Sequence, residues 1–158
     1  MAIYKLLDDV YEHSYTLIAI HGSLDDYRLA YFLNSGLNIK LTRLDEDVTI
    51  TKNAKVPAFK WYDEENDVQW SLVKNKTAVQ LEKPGLSLFA EKNEMQRAFL
   101  IPEYSKVDYF LKIDEEGRYK NEIQVLLKLK KIPGVITAYK IEAQQLKSKN
   151  NLIFLTNA

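Results

Sequence analysis

The chain contains no cysteine. Disulfides, thiolate nucleophiles and cysteine-ligated zinc or iron–sulfur centres are therefore excluded. Glycine and proline are scarce, at five and four residues, and scattered, so neither a flexible interdomain linker nor a low-complexity tract stands out. Charge of one sign is not in surplus, because 22 basic and 22 acidic residues cancel. Nucleic-acid binders usually carry a basic excess that collects phosphates, so the balance argues against that class of partner without removing a local patch. Long apolar runs are missing too. The longest lies near Leu17–Ile20, far short of the roughly 20 residues a membrane helix needs. The opening Met1-Ala-Ile-Tyr-Lys-Leu-Leu-Asp-Asp9 turns acidic too soon for a secretory signal. The expectation is a cytoplasmic protein with no membrane association.

What is present fits one folded domain over residues 1–158. Hydrophobic residues make up 46%, enough for a sizeable core, and ten Tyr, six Phe and two Trp supply large contact areas. Tyr15–His21 is apolar on both alternating sets, as in a central strand covered on both faces. Ser23 and Asp26 have capping-box spacing and open a helix over about 24–35, with Leu29, Phe32 and Leu33 facing the core. Gly36 stands where a left-handed cap would end that helix. A strand is expected over 37–44, then a hairpin in which Phe59 and Trp61 pair across Asp63–Asp67 with Val68, Trp70 and Leu72.

Residues 81–95, with Pro84-Gly85, read as a loop between two halves. Val107–Ile113 alternates as a strand that puts Val107 and Tyr109 on one face and Asp108 on the other. A helix fits about 117–131, with Tyr119, Ile123, Leu126 and Leu127 inward. Ile132-Pro133-Gly134 stops it before a strand at Val135–Ile141, and a short helical turn fits 143–147. The fold class expected is α+β: a mixed, largely antiparallel sheet with two main helices on one face, a ferredoxin-like plan with extra strands.

Few residues suggest chemistry. Glu103 and Asp108 could serve as acid and base, but Pro102 makes a turn there, and either carboxylate could instead hold a backbone amide. Pro102 should leave Ile101 extended. His21 stands where a strand meets a helix start, close to Asp26 and Arg28, a corner that often binds ligands. There is no Gly-x-Gly-x-x-Gly, Walker or Gly-x-Ser-x-Gly pattern, and the acidic Asp63–Asp67 turn lacks EF-hand spacing, so no cofactor or metal is expected. Phe59, Trp61 and Trp70 could stack on bases, though aromatic residues at period two ordinarily pack a core.

The nine residues Ile101-Pro-Glu-Tyr-Ser-Lys-Val-Asp-Tyr109 carry Ile101, Pro102, Glu103, Val107, Asp108 and Tyr109 at fixed spacing. This resembles the signature of the uncharacterised bacterial IPExxxVDY family. Ile20–Leu24, Asp26–Leu33, Leu146–Lys149 and Leu152–Phe154 look similar to it as well, so the resemblance spans essentially the whole chain. It implies no established activity, cofactor or catalytic residue. With every standard catalytic signature missing, a protein-binding or adaptor role is the first reading. An RNA-associated accessory role is the second. A hydrolase or transferase using His21 with Asp108 or Glu103 is the third. The residues expected to border a partner-binding surface are Glu103, Asp108, Tyr109, His21, Asp26 and Arg28.

Overall fold

In the computed structural model, the residues described are 15–80, 95–115, 121–148 and 150–152. Ten strands and two helices follow one another: β1 (Tyr15–Gly22), α1 (Asp26–Leu37), β2 (Thr42–Arg43), β3 (Val48–Thr51), β4 (Ala54–Val56), β5 (Ala58–Asp63), β6 (Val68–Lys74), β7 (Lys76–Gln80), β8 (Met95–Phe99), β9 (Tyr109–Glu115), α2 (Glu122–Lys130) and β10 (Val135–Ile141). Short 3-10 turns span Pro102–Tyr104 and Ala143–Gln145. The main sheet runs β10-β1-β9-β6-β5-β2, and every described pairing in it is antiparallel. The hairpins β3–β4 and β7–β8 stand apart. In chain order, β1, β6, β9 and β10 occupy the order 4-1-3-2, with α1 after the first and α2 after the third. That is the ferredoxin-like arrangement, extended here by β5 and β2.

β1 shows why the sheet is covered on both faces. Ile18 and Ile20 point into one core, Leu17 and Ala19 into the other, and all four are fully buried. The first core lies under both helices, where Leu29, Ala30 and Leu33 of α1 join Val125 and Leu129 of α2. The second core lies under irregular chain: Val48 and Val56 of the small hairpin, Leu100, Ile101 and Val107, and the Ala143–Leu152 stretch. The expected β5–β6 hairpin forms with Trp61 opposite Trp70 and Phe59 opposite Leu72. Asp67, with φ 54, provides the left-handed step in its turn.

Several expectations are corrected. No capping box forms: Asp25 is the N-cap of α1, without a side-chain cap hydrogen bond. α1 passes through Gly36 and ends at Asn38, which adopts the left-handed conformation at φ 56, ψ 46. Only Thr42–Arg43 of the expected 37–44 strand pair with a neighbour. The Asn34 side chain takes over there, since Oδ1 accepts from Leu41 N at 2.8 Å and Nδ2 donates to Leu41 O at 3.1 Å. Ile39 and Leu41 are buried all the same.

In α2 the inward stripe is Glu122, Val125 and Leu129, so Ile123 and Leu127, expected in the core, are 68% and 56% exposed. Within the stripe Glu122 lies 3.3 Å from Lys140 of β10, a polar inward position that apolar periodicity does not register. Val107 and Tyr109 do not share a face, because Val107 belongs to the second core and Tyr109 to the first. The β9 ladder starts only at Tyr109, and the Val107 amide still closes the preceding turn onto Tyr104 O at 3.0 Å. Of the expected 81–95 loop, Met95 belongs to β8 and the rest lies outside the described residues, as do Tyr119 and the segment 1–14.

Candidate functional site

The segment carrying the signature is wrapped around one buried amide. Asn75, between β6 and β7, has no exposed surface. Its Oδ1 accepts from Ile101 N at 2.9 Å, and its Nδ2 donates to Tyr104 O at 2.8 Å and Val107 O at 2.9 Å. Its own backbone N–H donates to Asp108 O at 2.9 Å, and its carbonyl accepts from Leu100 N at 2.7 Å. Five hydrogen bonds from one residue thus satisfy a loop that has no ladder of its own. Sequence reasoning missed Asn75 entirely. The one signal was an Asn between two β-rich runs.

Around this hub the signature residues take distinct positions. Ile101 is extended at φ −121, ψ 91 and fully buried, and Pro102 opens the 3-10 turn, where its missing N–H costs nothing. Glu103 reaches Ser148, accepting from its backbone N at 2.9 Å and its Oγ at 2.6 Å. Desolvation pushes the Glu103 carboxyl up, but the hydroxyl and amide of Ser148 together with the backbone amides of Glu103 and Lys147 outweigh it and hold the group below its ordinary value. Asp108 Oδ2 accepts from Gly22 N at 2.8 Å, and its Oδ1 pairs with Lys76 Nζ at 2.7 Å. Tyr109 donates its hydroxyl proton to Leu24 O at 2.5 Å. Burial, then the charges of Asp26, Asp25 and Asp108, push the Tyr109 phenol well above its ordinary value.

Gly22 is needed where Asp108 meets it. A Cβ there would lie 2.6 Å from Gly134 O, at the irregularity where β1 and β10 change register. The residues expected at a binding surface therefore divide. Asp108, Tyr109 and Asp26 come together at the β1–α1 corner, and Glu103 belongs to a separate contact with Ser148. His21 turns to Tyr139, with Nε2 2.9 Å from its hydroxyl and ring centroids 5.5 Å apart, rather than to either carboxylate. Arg28 is exposed on α1.

A second polar group, also missed, crosses the face opposite the helices. Lys60, Ser71 and Lys112 are cross-strand neighbours on β5, β6 and β9, and they are 7%, 1% and 3% exposed. Lys112 Nζ donates to Leu152 O at 3.3 Å and lies 4.4 Å from the centroid of the Tyr15 ring. Desolvation, and secondarily Lys60, lower the Lys112 ammonium to about 8 against the pull of Asp114. Desolvation raises the Asp114 carboxyl against the pull of Lys112. Burial thus outweighs attraction for both members of the pair.

The aromatic residues considered for base stacking are core: Phe59 is 6% and Trp70 4% exposed, and Trp61 packs against the same cluster. Among the described residues, no three His, Asp or Glu side chains gather as a metal site, and no helix is long and apolar enough to cross a membrane. Comparison with protein-family models finds no match. Comparison with curated proteins finds none either.

Proposed function

We propose that the chain is a non-catalytic, cytoplasmic protein-binding or adaptor module of the IPExxxVDY family. The observation that carries this reading is how the polar groups of the signature corner are used. Glu103 holds Ser148, Asp108 holds Gly22 and Lys76, Tyr109 holds Leu24, and His21 holds Tyr139. Groups committed to backbone and side-chain partners within the fold are poorly placed to exchange protons with a substrate.

The helix layer, by contrast, displays side chains suited to contact. Tyr27 and Tyr31, four residues apart on α1, are 63% and 67% exposed, with exposed Arg28 beside them. Tyrosine and arginine are enriched where proteins meet. The test is affinity recovery with the full chain, followed by binding with purified components. The expected result is one recurring protein that binds the wild type and is lost with Tyr27→Ala/Tyr31→Ala, folding being unchanged. A turnover reaction abolished by His21→Ala or Asp108→Asn would overturn the reading.

A further inference from the structure

The sheet face turned away from the helices changes character along its strands. Ala58, Val73, Phe110 and Ala19 pair side by side across β5, β6, β9 and β1, and all four belong to the second core. Two residues along each strand, on the same face, the row reads Lys60, Ser71, Lys112 and Leu17. Two further on it reads Tyr62, Gln69, Asp114 and Tyr15. The lysine row is more than nine-tenths buried, whereas Tyr62 is exposed and Gln69 and Asp114 are half-buried. An apolar floor thus gives way to a closed polar row with a half-open row beside it.

The fold itself does not call for the lysines. The neighbouring row shows that apolar side chains close this face, and an apolar side chain of similar volume ordinarily serves a buried position as well as a charged one. Lys60 and Lys112 stand two strands apart with Ser71 between them, and Lys60 acts on Lys112 as a like charge. Across the two polar rows the described charges are two ammoniums and one carboxylate, Asp114, which leaves one positive charge over. Lys112 Nζ donates to Leu152 O, a neutral acceptor, at 3.3 Å. An ammonium facing an anionic oxygen closes to about 2.7–2.9 Å. The Lys112 ammonium, with its three donors, is therefore suited to a stronger acceptor than the carbonyl it holds.

We propose that Lys60, Ser71 and Lys112 bind the carboxylate or phosphate group of a small molecule. Ser71 is short and stands between two four-carbon stems. Neighbouring strands are about 4.8 Å apart, so the stems rise about 10 Å from each other, with the serine hydroxyl at the base of the gap. An oxyanion there meets an ammonium on either side and a hydroxyl beneath. The way in is the half-open Tyr62–Gln69–Asp114 row, and Lys112 exchanges Leu152 O for the anion. The anion balances the surplus positive charge and favours the protonated form of both lysines. The site lies on the face opposite α1, so it stands apart from the adaptor reading and does not depend on it.

Titration of the full chain at neutral pH and constant ionic strength decides the matter, with inorganic phosphate and separately with malonate, followed by the backbone amide resonances of Ser71 and Lys112. The expected result is saturable binding of at least one probe with a dissociation constant below about 1 mM. Saturation by phosphate alone would mark the ligand group as a phosphate, and saturation by malonate alone as a carboxylate. Lys60→Met and Lys112→Met should each weaken binding at least about tenfold. Ser71→Val, which fills the gap and keeps both lysines, should do the same. Lys76→Met, at the signature corner against Asp108, should leave binding unchanged. Dissociation constants above about 1 mM for both probes overturn the proposal. So does binding that the folded Lys60, Lys112 and Ser71 variants retain, or that Lys76→Met weakens equally.

Discussion

The two faces of the sheet are closed in different ways. Under the helices, backbone hydrogen bonds are met inside α1 and α2, and the first core is built almost wholly from apolar side chains. On the opposite face the cover is a small hairpin, two 3-10 turns and extended loops, and the loops cannot satisfy all of their own amides and carbonyls. That face accordingly carries buried polar side chains: Asn75 as the hub of the 100–108 segment, and the Lys60–Ser71–Lys112 row. A helix brings its hydrogen bonds with it, whereas a loop used as cover must borrow them. The signature Ile101–Tyr109 is where most of the borrowing happens.

The largest expected effect sharpens that contrast. Asn75→Ala removes three side-chain hydrogen bonds and strands the Ile101 amide and the Val107 carbonyl, while Tyr104 O keeps the Val107 amide, so it should cost about 3–5 kcal/mol in equilibrium unfolding. Leu33→Ala, on the helix face, deletes a fully buried side chain and should cost about 2–5 kcal/mol by the same measurement. If the Asn75 variant proved milder than an exposed-site change of about 0.5 kcal/mol, the loop would not depend on its hub.

A third expectation concerns pH. Lys112 is lowered from 10.5 to about 8, so between those values the unfolded chain holds a proton that the folded chain has shed. Stability should therefore rise as pH climbs from about 8 toward 10, and Lys112→Met should flatten the rise. Burial lowers Lys60 and adds in the same direction. Tyr109, raised in the fold, acts the opposite way only as pH passes its ordinary value of 10.0. At the acid end Glu103 is held below 4.5, so its contribution is present above that value and fades as pH falls through the lower folded one. Urea midpoints of wild type and Glu103→Gln should converge below that range.

The smallest effects are expected where the comparison is weakest. Asp108→Asn keeps an acceptor for Gly22 N but loses the charge pair with the partly exposed Lys76, a change of about 0.5–1 kcal/mol. Leu127→Ala should change stability by less than about 0.5 kcal/mol, because Leu127 lies outside the core.

The same contrast explains what the sequence made legible. β1, the β5–β6 hairpin and the core of α1 announced themselves through apolar periodicity, and the helix face is where periodicity rules. α2 was placed, but with its face turned by one position, because Glu122 occupies an inward site that an apolar pattern leaves out. The β3–β4 hairpin was overlooked, although Val48-Thr-Ile-Thr51 is rich in β-branched residues and Lys52-Asn53 makes a turn. Pro102 did indicate that Ile101 would be extended and that a carboxylate there might hold an amide, and both carboxylates do. Asn75 and the lysine row were invisible, since a buried amide's partners lie 26 to 32 residues away and no local pattern encodes them.

Native-state hydrogen exchange at the Ile101 amide tests the account most directly. That N–H lies outside any helix or strand, and its acceptor is a side chain, Asn75 Oδ1 at 2.9 Å. If the signature segment is a structural clasp built on Asn75, the Ile101 amide should exchange about as slowly as that of Leu111 in the central strand β9. Exchange as fast as that of Glu65 in the exposed β5–β6 turn would contradict it.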